Sequence, residues 1–334
     1  MAVQKELDLN KPLDSNAAPN LGKTILTPEL SKSAIVLHGD RYKQLQAKLT
    51  KYVLWHPYAM LAMTTVVPII FFYSVWDYVS ISENLLEFYH LVKKDKKDFI
   101  FSILSAFPLF ASIFGIFGFL AYIVGEDMGI ASKNFAQKYC DYVFGFNIRA
   151  FAKNDNNEDK KLAKLGQNTE LIIYRESPIA VGSLVVDEDQ STVENFVVKI
   201  TGVHVRKVFQ KVDFDEVLIE WAILRTRELY QEFLVSNGLK TPPENSSILI
   251  TADTYSFDPE FQKTLQENGF RPIDVSFQLN PFDLAVSGFK ERIYKFLNVC
   301  RITFGLMLSV SKEDIDMIKD SALSNKDLKV RKRN

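Results

Sequence analysis

From Tyr52 to Trp76, and again from Phe99 to Gly125, the sequence contains no Asp, Glu, Lys or Arg. A helix needs roughly 20 apolar residues to cross about 30 Å of hydrocarbon, and each stretch is longer than that. Helices of this composition, apolar on every side, would be stable in water only if a fold enclosed them completely. A pair of enclosed core helices is the competing reading; a transmembrane hairpin is the expectation adopted here. Pro57, Pro68 and Pro108 are tolerable in lipid where neighbours satisfy the freed carbonyls. Trp55 and Tyr58 near one end of the first stretch, and Trp76 and Tyr78 near the other, match aromatic belts at two interfaces.

The first twenty residues are polar and carry no short apolar core with a small-residue cleavage site, so the first span is expected to act as an uncleaved anchor. Arg41, Lys43, Lys48 and Lys51 precede it, and Lys329 to Asn334 form a basic tail. The connecting loop, Asp77 to Asp98, has competing lysines at 93, 94, 96 and 97. Lysine and arginine bias sets orientation, and both termini are expected in the cytosol with the loop in the lumen. The two cysteines, Cys140 and Cys300, make neither a disulfide framework nor a zinc spacing, and no metal site is expected. A net charge of −1 gives no basic field for nucleic acid.

Five segments follow: a polar N-terminal region with an amphipathic helix (1–51), the hairpin (52–125), a connector (126–161), a soluble domain (162–311) and a basic tail (312–334). In the first, Leu37, Tyr42, Leu45 and Leu49 recur at helical spacing. That helix suits either the membrane interface or the surface of the soluble domain. The polar run 154–161 marks the domain's start. Two β-branched runs, 169–175 and 179–187, read as a hairpin, and 195–209 has strand composition throughout. Residues 214–234 have helical periodicity, with Asp215 as N-cap or first-turn acid. A strand at 247–252, a helix at 258–268 closed by Gly269, and strands at 271–279 and 300–310 complete the order.

In that order the chain resembles the GNAT acetyltransferase superfamily over 169–310, including members with a hydrophobic hairpin ahead of the domain. The implied fold class is α+β: an N-terminal two-helix transmembrane hairpin followed by a GNAT-like mixed sheet with flanking helices. The resemblance also implies an acetyl-CoA site of the form Gln/Arg-x-x-Gly-x-Gly/Ala, whose small residues let backbone N–H groups approach the pyrophosphate. Here that stretch is Gln210-Lys211-Val212-Asp213-Phe214-Asp215, with a carboxylate at both small positions. Where many members have a proton-donating Tyr before the Gly-Phe of the second helix, this chain has Leu265, which cannot donate a proton. The site therefore reads as degraded, with no cofactor and no catalytic residue expected. His38, His56, His90 and His204 each lack a sequence partner that would make them catalytic.

Distinctive pieces lie nearer the N-terminus: Leu9-Asn10-Lys11-Pro12-Leu13-Asp14, Ala34-Ile35-Val36-Leu37-His38-Gly39-Asp40, Tyr42-Lys43-Gln44-Leu45 and Trp55-His56-Pro57. With them the chain resembles a fungal family of endoplasmic-reticulum proteins that help package the high-affinity inorganic phosphate transporter for export. The resemblance implies a multi-pass protein of the endoplasmic-reticulum membrane, a polytopic phosphate transporter as client, and ER-exit coat machinery as a second candidate partner. The alternatives are an active membrane-anchored N-acetyltransferase using acetyl-CoA, and a structural adaptor without client selectivity. In the second span Ala111, Gly115 and Gly118 share one helix face. Small residues let a second helix approach closely in lipid, either the first span or a client's.

Overall fold

The computed structural model describes residues 21–153, 164–175, 177–239, 241–243, 246–282 and 286–310. The motif at 9–14, the polar run at 154–161, Asn245 and the basic tail lie outside the described residues. The protein is α+β, built on a seven-stranded sheet of order β1-β2-β3-β4-β5-β7-β6. The strands are β1 Leu21–Ile25, β2 Thr169–Tyr174, β3 Ser177–Val186, β4 Asn195–Val205, β5 Ser247–Tyr255, β6 Arg271–Ser276 and β7 Arg301–Ser309. Every pairing is antiparallel except β4 with β5. A parallel pair needs a crossover, and the long helix Phe214–Ser236 falls between those two strands.

The first strand changes the expected domain order. β1 pairs with β2 from Leu21↔Tyr174 to Ile25↔Glu170. The apolar hairpin is therefore not N-terminal to the sheet; it is an excursion between the sheet's first and second strands. The strand expected over 195–209 ends at Val205 and turns into a 3-10 segment, Lys207–Val212.

The helices, in chain order, are α1 Ser31–Leu54, α2 Pro57–Ser74, α3 Trp76–Ile81, α4 Leu85–Lys94, α5 Lys96–Ser105 and α6 Phe107–Asn134. A π-helical turn, Phe135–Tyr139, leads into α7 Cys140–Phe144 and α8 Ile148–Phe151. Then come α9 Phe214–Ser236, α10 Pro259–Glu267 and α11 Gly288–Leu297. The Trp55-His56-Pro57 motif is the corner between α1 and α2. His56 caps α2 by accepting from Tyr58 N–H at 3.4 Å, and Pro57 occupies the first turn, where its missing N–H costs nothing. The segment expected as a loop, 77–98, carries α3 and α4.

α9 and α10 cover one face of the sheet, with Leu218, Ile219, Ala222 and Leu265 packed on Ile172, Leu184, Val198 and Ile250. Gly269, at φ +83°, closes α10 in the left-handed conformation that glycine adopts without a Cβ penalty. The opposite face is covered by α1, the last turns of α6, α7 and α8, with Leu37, Leu45, Leu49, Met128, Phe135 and Phe144 buried. Each such side chain contributes about 1.5–3 kcal/mol relative to exposure. α1 is thus a core element rather than an interfacial one. Residues 126–151, expected as a connector, likewise belong to this layer as far as Phe151. Gly125 and Gly129 face Thr50 and Gln46 of α1, where an added Cβ would meet atoms 3.2 Å away, so two helices can run close together there.

α6 is about 42 Å long at 1.5 Å per residue and has two environments. Ala121, Val124, Met128 and Ala131 are buried, while Phe107, Leu109, Phe114, Ile116 and Phe119 are each more than half exposed. α2 has no buried residue and packs along α5 and α6. α2 and the Lys96–Phe144 unit are long and apolar enough to cross a membrane.

Candidate functional site: the cleft between the fourth and fifth strands

β4 and β5 are paired from Asn195↔Ser247 to Ile200↔Ala252 and no further. Beyond that point each remains bonded to its outer neighbour, β4 to β3 as far as Val205 and β5 to β7 as far as Tyr255. Two strands held from outside but not paired with each other leave a wedge-shaped opening, with backbone groups that need other partners. The opening leads into a cleft of about 530 Å³ lined by residues of α1, β4, β5, the 207–213 segment and α10.

α1 supplies the missing partners. Arg41 Nη1 donates to Thr201 O at 3.1 Å on β4, and Nη2 donates to Asp253 O at 3.1 Å on β5. Three residues on, Gln44 Oε1 accepts from Gln210 Nε2 at 2.9 Å. Four further on, Lys48 Nζ reaches Asp258 at 2.7 Å and Glu260 at 3.1 Å at the start of α10. Positions 41, 44 and 48 share one helix face, so a single polar stripe fastens α1 across the wedge from apex to mouth. Burial disfavours the Lys48 ammonium, but Asp258 and Glu260 outweigh it and hold its pKa above the ordinary lysine value. One turn earlier, His38 Nε2 lies 2.9 Å from Ser183 Oγ on β3, and Gly39 O accepts from Ser132 Oγ at 3.1 Å. The idiosyncratic 34–45 motifs are therefore the docking face of α1.

The residues singled out in the sequence are divided by the fold. Gln210, Asp213 and Asp215 line the cleft; Leu265 is fully buried in the core beneath α10. Asp213 is the N-cap of α9, at φ +53°, and Asp215 sits in the first turn rather than at the cap. Burial, with Asp213 and Asp258 close by, raises the Asp215 carboxyl above the usual aspartate range. Tyr255 reaches the cleft wall, but its hydroxyl donates to Leu279 O at 3.1 Å and burial holds the phenol protonated. His204 is pushed down to about 4 by burial and the neighbouring Arg41 charge, and its Nε2 has no partner among the described residues. Among the described residues, no nucleophile is hydrogen-bonded to it.

The cleft lining mixes both signs of charge, with Lys207, Lys211 and Lys263 beside Asp213, Asp215 and Glu267. The helix N-terminus that would face a pyrophosphate carries Asp213, Asp215 and Glu216, whose charge opposes an anion. The wedge between the strands holds the Arg41 guanidinium. Sequence reasoning missed Arg41, Gln44 and Lys48, although their spacing along an amphipathic helix was visible. From the sequence, Arg41 and Lys48 read as charges flanking the first apolar stretch, and Gln44 only as part of the 42–45 motif.

The profile of a family described as inorganic phosphate transporter chaperone Pho86 matches residues 3–308. No curated protein matches the chain. Among solved structures, it is similar to the IAA acetyltransferase from Bacillus cereus, with 15% identity, TM-score 0.28, and coverage of 46% of this chain and 87% of that one. It is also similar to Arabidopsis thaliana Naa50 in complex with a bisubstrate analogue, with 11% identity, TM-score 0.29, and coverage of 44% and 80%. A third is the NatC complex bound to Gag peptide and CoA, with 10% identity, TM-score 0.28, and coverage of 50% and 81%.

Proposed function

The chain belongs to the Pho86 family of inorganic phosphate transporter chaperones, and from that premise we propose that it is a non-enzymatic chaperone of the endoplasmic-reticulum membrane. In this reading the hairpin engages a polytopic phosphate transporter, and the cytosolic domain is an acetyltransferase-like scaffold that has lost its cofactor. The observation that carries the loss is Arg41 bridging Thr201 and Asp253, with α1 fastened over the cleft. The test is calorimetry of the full chain in detergent with acetyl-CoA. A fragment starting near 154 would lack β1 and α1 and expose the core they cover. No saturable heat is expected up to about 1 mM, the concentration equivalent to about −4 kcal/mol of affinity. Micromolar binding would restore the alternative, an active N-acetyltransferase.

The hairpin reading draws support from β1. Because Leu21–Ile25 is hydrogen-bonded to β2, the chain leaves and returns to the same side, and the excursion crosses a bilayer an even number of times. With the positive-inside bias, that side is the cytosol. Asn245-Ser246-Ser247, a glycosylation sequon, should then remain unmodified in cells, and protease added outside intact microsomes should digest the sheet domain. Glycan on Asn245 would invert the topology.

Ala111, Gly115 and Gly118 are proposed as the client face. The partly buried residues of the apolar half of α6 are Phe110, Ile113 and Phe117, whereas Ala111, Gly115 and Gly118 are exposed. A Cβ on Gly115 or Gly118 would meet nothing within 4 Å. That disfavours packing on the first span. Gly115→Leu with Gly118→Leu should leave the protein's own level unchanged while the co-purified transporter is lost and stays in the endoplasmic reticulum. Normal transporter export would eliminate this face.

A further inference from the structure

We propose that α11 is an interfacial membrane helix, seating Phe289 and Phe296 in the headgroup region of the leaflet that the hairpin enters. This rests on the reading of the hairpin as transmembrane. α11 touches both roots of the hairpin. Near its N-terminal end, Lys290 Nζ binds Glu126 at 2.9 Å and Asp127 at 2.6 Å. Glu126 is the first charged residue after the second apolar stretch. At its other end, Leu297 O accepts from Tyr52 OH at 3.3 Å, and Phe296 stacks on Tyr58 with ring centroids 5.1 Å apart and planes 27° apart. Tyr58 lies in the first turn of α2. A straight helix that meets both spans where their uncharged segments begin lies across them, in the plane of the bilayer surface rather than along its normal.

The two sides of α11 differ accordingly. Tyr294 is fully buried against the domain, while Phe289 and Phe296 are 67% and 65% exposed. Phe289, Arg292 and Phe296 recur at +3 and +7, so they share the outer face. Large aromatics with a cation between them suit the boundary of acyl chains and anionic headgroups. Trp55, 68% exposed at the α1–α2 corner, extends the same belt. Lipid is favoured over a protein partner because the patch is continuous with the roots of the two spans. Seated this way, α11 fixes the tilt of the sheet against the membrane.

The test uses spin labels on the full chain in transporter-free nanodiscs of mixed zwitterionic and anionic phospholipid. Single cysteines replace Phe289, Phe296, Ile116 or Met307 in a Cys140→Ser, Cys300→Ser background whose own stability is checked first. Ile116 lies in the apolar half of α6; Met307 is 70% exposed on β7, about 20 Å along that strand from its α11 end at 3.4 Å per residue. Labels at 289 and 296 are expected to be accessible to oxygen and shielded from a water-soluble nickel chelate, at shallow depth, with 116 deep and 307 in water. Labels at 289 and 296 as accessible to nickel as 307, with 116 still deep, would overturn the proposal and leave the hairpin standing. Nickel access at 116 would overturn both. Shielding of 289 and 296 only after transporter is added would also overturn it and assign the face to a protein.

Discussion

Gly202→Ala is expected to destabilise the protein by about 3 kcal/mol, the upper end of the cost of overpacking a filled core. An added Cβ at Gly202 would lie 2.6 Å from His38 Cε1, 2.7 Å from Nδ1 and 3.0 Å from Arg41 Nη1. The imidazole has nowhere to retreat. It is 1% exposed, held by Ser183 Oγ at 2.9 Å, and set edge-on to Phe144 with centroids 5.2 Å apart. The methyl must therefore lift α1 from the sheet, and Arg41 leaves the wedge with it. Denaturant titration of the purified protein measures the loss, and faster hydrogen exchange over 201–205 locates it. His38→Ala in the same chain removes the obstacle, so the double variant should be more stable than the sum of the single effects predicts. Wild-type stability of Gly202→Ala would mean that α1 does not sit against this strand. The same variant bears on function, because the added methyl presses on Arg41, which lines the cleft, without removing any side chain from it.

Asp127→Ala should cost a similar amount, about 3 kcal/mol, by stranding the partners of a buried carboxylate. Asp127 is 7% exposed and accepts from Lys290 at 2.6 Å and from Tyr294 OH at 2.7 Å. Burial and the Asp127 charge hold the Tyr294 phenol well above the ordinary tyrosine range, so it remains a donor. Lys290 keeps Glu126 at 2.9 Å, which limits its loss; the Tyr294 hydroxyl has no second hydrogen-bond partner among the described residues. Asp127→Asn retains an acceptor and should lose about half as much. Lys290→Met combined with Asp127→Ala should recover part of the stability, since the stranded cation is then gone. Equal stability of Asp127→Ala and wild type in denaturant would show that α11 is not fastened to α6 through this group.

Much of the candidate site could be read in the chain itself. Asp213 and Asp215, singled out from the sequence, both line the cleft beside the α9 N-terminus. The two long apolar helices, α9 and the Gly269 stop of α10 are equally legible, because each depends on local signals: absence of charge, a 3.6-residue period, a residue able to adopt positive φ. Asp215 shows the limit of that reading. Its residue type fits either the cap or the first turn, and only the fold selects the first turn, with Asp213 at the cap.

Composition and local periodicity are enough to foretell two apolar helices, an amphipathic helix before them and alternating strands and helices after. Which distant segments meet is set by the assembled fold. β1 is five residues of weak strand character, and nothing near it announces a partner at 169–174. The pairing that turns the apolar hairpin into an insertion spans the whole excursion from α1 to α8, and its stability comes from a sheet assembled elsewhere in the chain. Arg41, Gln44 and Lys48 are ordinary polar residues of an amphipathic helix until Thr201, Gln210 and Asp258 are brought beside them. A hydrogen bond between residues so far apart leaves no periodic trace in either segment, because period records which face a residue occupies and not what that face will touch.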